Sequence, residues 1–91
     1  MNLIRMRRRR TVLNIIRTLR RDANDGVAKR AVFQLPFVSK MEATTGGMQQ
    51  SRMRLTMDDG FEVVGYGYDL TRASLGAILD YLTRMRRRRL M

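Results

Sequence analysis

Four apolar residues near the start of the chain, Val12, Ile15, Ile16 and Leu19, recur at the i, i+3, i+4, i+7 spacing of one helix face. That spacing predicts an amphipathic helix over residues 11–22. Thr11 is its expected N-cap, unless the helix starts further back among the arginines that precede it. The stretch DANDG (Asp22–Gly26) reads as the stop, since Asn24 and Gly26 tolerate left-handed backbone.

After the stop the period changes from helical to twofold. In RAVFQLPFVSKM, Phe33, Leu35, Phe37 and Met41 fall on alternate positions, which predicts a half-buried strand. Pro36 cannot donate to a ladder, so this strand is expected at an edge or on a bulge. EATTGG is a loop. SRMRLTM alternates again, with Met53, Leu55 and Met57 on one face and Arg52, Arg54 and Thr56 on the other. Asp58–Gly60 (DDG) is a tight hairpin turn with Gly60 left-handed, and FEVVGYGYDL is the returning strand. A last helix starts near Asp69 or Thr71, carries Leu75, Ile78, Leu79, Leu82 and Met85 at helical spacing, and runs into Arg86–Arg89. The expected fold class is α+β, in the order α-β-β-β-α. It is a small two-layer domain, with two helices on one face of a three-stranded antiparallel sheet.

The hairpin register decides which face of the sheet is free. A three-residue turn sets Met57 opposite Phe61, Leu55 opposite Val63 and Met53 opposite Gly65. That apolar face meets the helices, and Gly65 and Gly67 let a helix come close. The other face carries Arg52, Arg54, Thr56, Glu62, Val64, Tyr66 and Tyr68. Arginines that hold phosphate beside tyrosines that stack on bases suit a single-stranded nucleic acid. The same face also suits half-buried packing or a homodimer through a sheet face or edge strand.

Charge sharpens this picture. The 91 residues carry a net charge of +11. The string RMRRRR occurs twice, at Arg5–Arg10 and at Arg84–Arg89, and the two copies hold ten arginines. Outside them the charges nearly cancel. The expected organisation is a basic N-terminal arm (1–10), one domain (11–83) and a basic C-terminal arm (84–91) that continues the last helix. Arginine outnumbers lysine heavily, and its planar fork fits phosphate oxygens two at a time. The candidate nucleic-acid-binding residues are therefore Arg5, Arg7, Arg8, Arg9, Arg10, Arg52, Arg54, Tyr66, Tyr68, Arg72, Arg84, Arg86, Arg87, Arg88 and Arg89. Positive charge is favoured by the dipole at a helix C-terminus and disfavoured at an N-terminus, so the two blocks are not expected to be equivalent.

Composition narrows the function. Cysteine and histidine are both absent, which removes thiolate chemistry, the usual ligands of zinc, copper and haem, and the commonest general base near neutral pH. The eight acids show no paired-carboxylate or metal-loop spacing. The reading is a non-enzymatic protein without metal, cofactor or small-molecule substrate. The GxG of GYGYD lacks both a third glycine and a following Lys-Ser/Thr, so it marks no phosphate loop. No run of 18 apolar residues spans a membrane.

The element order and the strand-to-helix step GYGYDLTRASLGAILDYL resemble a double-stranded-RNA-binding domain over about sixty residues. In that family the N-terminus of the final helix meets phosphates. Here Arg72 is the basic residue at that place, the family's lysine pair is missing, and Leu75, Ile78 and Leu79 replace its alanine-rich face. No site is carried over.

The sequence reading is thus a nucleic-acid-binding protein of weak sequence selectivity, with RNA or single-stranded DNA favoured. A structural or assembly subunit of a ribonucleoprotein or virion, and a small regulator that grips an acidic protein, are the alternatives. The expected location is cytoplasmic or within a nucleoprotein particle. Residues 1–21 hold eight arginines and no acid, which also fits a mitochondrial transit peptide, with the matrix as the alternative location, or an anionic membrane surface. The repeat of the same string at the C-terminal end, where it cannot be a transit signal, weighs against the transit use.

Overall fold

The computed structural model describes residues 3–21, 24–45 and 50–90, and side chains from Arg8 to Arg87 within those spans. The element order is α1 (Leu3–Arg21), α2 (Asp25–Phe33), β1 (Val38–Thr44), β2 (Ser51–Met57), β3 (Glu62–Gly67) and α3 (Leu70–Leu90). The class is α+β, with three helices and a three-stranded antiparallel sheet in the order β1-β2-β3.

Val12, Ile15, Ile16 and Leu19 of α1 are buried, as their spacing requires. The helix starts at Leu3, so Thr11 is an interior residue and not the N-cap. Arginine is a good helix former, and Arg8 lies one turn before Val12 on the same stripe, so nothing local stops the helix at Thr11. No acid stands in the first turn to offset the dipole.

The stretch expected to open the first strand is instead a second helix. The Asn24 side chain accepts from the Val27 amide at 2.9 Å and caps α2, whose Ala28 and Val32 are buried one turn apart. Val27, Ala28, Ala31 and Val32 fit a helical period as well as Phe33, Leu35 and Phe37 fit a strand, and the Asn24 cap favours the helix. Leu35 and Phe37 still point into the core from the link to β1, while Phe33 is 70% exposed. β1 is an edge strand with an irregularity between Val38 and Lys40, and Pro36 precedes it.

The hairpin has the expected register, with Leu55 opposite Val63 and Met53 opposite Gly65. Gly60 closes the turn at φ +93°, a conformation that disfavours a side chain. Met53, Leu55, Met57 and Val63 form the buried face.

α3 lies over β3 and β2. Its start is capped twice: Asp69 Oδ1 accepts from the Arg72 amide at 2.8 Å, and Asp25 Oδ1 of α2 accepts from the Leu70 amide at 2.9 Å. The stripe on the sheet differs from the expected one. Ala73, Ala77, Ile78, Tyr81 and Leu82 are buried, whereas Leu75 and Leu79 are half-buried on the flank. Small residues face the sheet because the two backbones nearly touch. A Cβ at Gly65 would collide with the Ala73 carbonyl oxygen and the Ala77 amide. Ser74 is buried in this contact, and its Oγ has no hydrogen-bond partner among the described residues.

Two stability changes follow. Gly65→Ala forces backbone apart from backbone and is expected to cost about 3 kcal/mol or more, read as a lowered urea midpoint or loss of the folded state. Ser74→Ala removes an unsatisfied buried hydroxyl and improves helix propensity, and is expected to raise stability by about 1 kcal/mol, or Tm by roughly 4–8 °C. A lower Tm for Ser74→Ala would show that the hydroxyl is satisfied in solution.

Candidate nucleic-acid interface

The two arginine blocks meet at one end of the molecule. The C-terminal end of α1 leads into α2, whose Asp25 touches the first residue of α3. At the other end, Arg8 of α1 donates to the Tyr81 hydroxyl of α3 at 3.2 Å. The two helices therefore run antiparallel, and the first turns of α1 lie beside the last turns of α3. From Tyr81, α3 continues nine residues to Leu90, about 14 Å of helix at 1.5 Å per residue. This end gathers ten arginines and three nearby aspartates, Asp58, Asp59 and Asp80. It thus carries seven of the chain's eleven excess positive charges.

The arginines at this end are not alike. Arg10, Arg84, Arg86 and Arg87 are exposed and Arg9 is half-buried. Arg84 Nε lies 3.3 Å from Asp80, one turn before it. The backbones of Arg5, Arg7, Arg88 and Arg89 are helical, and their side chains lie outside the described residues. Arg8 is committed to the fold. Its guanidinium donates to both carboxylate oxygens of Asp58, at 2.8 and 2.9 Å, and lies 3.6 Å from Asp59. It also sits 4.7 Å above the centre of the Phe37 ring. Tyr81 completes this node by donating to Asp59 at 2.8 Å and packing between Phe37 and Phe61. Burial pushes the Tyr81 phenol up to about 12; the bond to Asp59 adds to this, and Arg8 opposes it.

On the free face of the sheet, three cross-strand rows run Lys40–Thr56–Glu62, Glu42–Arg54–Val64 and Thr44–Arg52–Tyr66. The first two rows neutralise themselves. Arg54 pairs with Glu62 at 2.8 Å and Lys40 with Glu42 at 3.1 Å. The Lys40 ammonium holds the Glu42 carboxyl below the usual carboxylate range. The third row is different. Arg52 makes no salt bridge among the described residues, although its charge acts on Glu42, and it stands opposite Tyr66, which is 59% exposed. Tyr68, two residues on, is 84% exposed, with the Arg72 guanidinium 5.6 Å from its ring centre. Arg52 and Tyr66 thus stand on the free face at one end of the sheet, and Tyr68 and Arg72 stand at the same end, on the step from β3 into α3.

The candidate residues therefore form two groups. Arg52, Tyr66, Tyr68 and Arg72 stand at the N-terminal end of α3, and the arginine blocks stand at its C-terminal end. Arg54 lies between them in an ion pair. The Arg8 node was not legible in the sequence as a structural contact. Its trace in the sequence is an arginine one helical turn before Val12, on the apolar stripe. No helix among the described residues is long and apolar enough to cross a membrane. No protein-family model matches the chain, and no curated protein or solved structure matches it either. The inserted α2 also departs from the α-β-β-β-α order on which the resemblance to a double-stranded-RNA-binding domain rests.

The Tyr81 node gives a stability that depends on alkali. A phenol that ionises less readily folded than unfolded stabilises the fold fully below the unfolded value near 10, and that contribution is lost as pH rises towards about 12. Urea midpoints measured from pH 8 to 12 are expected to fall more steeply for the parent chain than for Tyr81→Phe. Parallel curves would mean that Tyr81 titrates normally.

Proposed function

We propose that this chain is a non-enzymatic nucleic-acid-binding protein of weak sequence selectivity. The observation that carries this reading is the meeting of both arginine blocks at one end of an antiparallel helix pair. Charges gathered there attract a polyanion together rather than as two independent tails. Arg8 is spent on the fold and, in this reading, supports the interface from behind. The exposed Tyr66 and Tyr68 beside Arg52 and Arg72 favour RNA or single-stranded DNA, whose bases are free to stack. On this reading the protein works in the cytoplasm or within a nucleoprotein particle.

The test is a salt series. If the nine arginines of this end other than Arg8 each neutralise a phosphate, log affinity falls with log salt at a slope of about −6 for single strands and about −8 for duplex. Binding of a labelled oligonucleotide is measured by anisotropy between 50 and 300 mM salt. The triple variant Arg84→Gln, Arg86→Gln, Arg87→Gln is expected to flatten the slope by about 2 to 3 and to weaken binding to every sequence alike. An unchanged slope and affinity would remove the arginine end from the interface.

A further inference from the structure

We infer that the chain carries two separate nucleic-acid sites, one at each end, and that its preferred ligand is a duplex bearing a single-stranded tail. The inference rests on the nucleic-acid-binding reading above and names the ligand class for it.

The two ends offer different chemistry. At the arginine end the neighbouring rings are used internally: Phe37 and Tyr81 are buried and stacked, and Phe61 packs edge-on to Tyr81. Among the described residues, that end presents cations without an exposed ring. It grips backbone charge and is blind to bases. Duplex suits it best, because two strands together present about one negative charge per 1.7 Å of axis. At the other end, Tyr66 and Tyr68 present open rings beside Arg52 and Arg72. Rings of that kind need unstacked bases, which a duplex does not offer.

Across the free face of the sheet, the ground between them does not hold a strand. Lys40, Glu42, Arg54 and Glu62 pair among themselves and sum to zero charge. A ligand is thus held at both ends and crosses the middle unheld. The span follows from the helix that joins the ends. Arg72 and Arg84 are twelve residues apart on α3, about 18 Å. At about 3.4 Å per stacked nucleotide, roughly five nucleotides cover it. Once the duplex is seated, a tail of that length binds its site as an intramolecular event, at raised effective concentration.

The experiment compares one labelled duplex carrying tails of 0, 2, 4, 6, 8 and 12 nucleotides, in DNA and in RNA, at fixed salt. The quantity read is the affinity for each tailed form divided by that for the blunt form, within the same protein. For the parent chain this ratio is expected to stay near one for short tails and to rise to about tenfold or more once the tail passes roughly five nucleotides. In the double variant Tyr66→Ala, Tyr68→Ala, checked for folding by circular dichroism, the rise is expected to vanish. Phe33→Ala, which removes the exposed ring at the end of α2 and leaves both tyrosines in place, is expected to keep it. A flat ratio in the parent chain, or a rise that survives in the double tyrosine variant, overturns the two-site inference and leaves the function proposed above standing. Failure of every probe to bind, blunt or tailed, sinks both.

Discussion

The backbone of α3 lies against the backbone of β3, and the placement of the other elements follows from that contact. Gly65 on the strand and Ala73 and Ala77 on the helix leave no side chain between the two. A helix seated so closely has little freedom of tilt. It begins where β3 ends, is capped by Asp69 and by Asp25 of α2, and reaches the hairpin turn at Tyr81. After Leu82, among the described residues, only Met85 still packs against the core, and Arg84, Arg86 and Arg87 are exposed. α1 then lies antiparallel along α3, with its apolar stripe buried in the shared core. The position of the arginines is thus set by small residues some distance from them.

Arg8 shows how a cation can occupy an apolar stripe. Removing a guanidinium from water is costly unless its donors are satisfied. Here two carboxylate oxygens, a phenol and an aromatic face take up the group. The bidentate geometry is one that lysine cannot reproduce. The node ties the start of α1 to the hairpin turn and to α3, three segments far apart in the sequence. It also places Asp58 and Asp59 beside the most crowded cations of the chain, which eases their mutual repulsion.

Much of the fold was legible where a period ran unbroken. The alternation of Met53, Leu55 and Met57 with Arg52, Arg54 and Thr56, closed by Asp58–Gly60, sets the hairpin register and leaves one face open. The stripe of α1 was equally clear. α2 was not, because a short helical period (Val27, Ala28, Ala31, Val32) runs straight into a twofold one (Phe33, Leu35, Phe37), and a cap and packing on α3 decide where one yields to the other. The flank position of Leu75 and Leu79 was hidden for a related reason. Hydrophobicity marks which residues prefer burial, whereas the Gly65 contact favours the smallest side chains at the centre of the interface. As for the candidate site, the residue types were readable and their grouping was not. Arg8 finds its partners 50 and 73 positions away, and the antiparallel helix pair that joins the two blocks is a property of the tertiary fold.

The gathering of charge at one end gives the molecule an orientation as well as an attraction. The molecule measures 45 Å along its longest axis, and most of its excess charge sits at the projecting helix ends. A body charged at one end feels a torque in the field of a polyanion before it feels a contact. That field extends about 8–10 Å from the surface at ordinary ionic strength. The chain would therefore turn to meet a polyanion with its helix ends leading. Fewer encounters are then lost to wrong approaches, and the gain shrinks as salt shortens the field. Joining the two blocks at one pole makes the charge of the sequence a vector, with a direction fixed by the axis of α3.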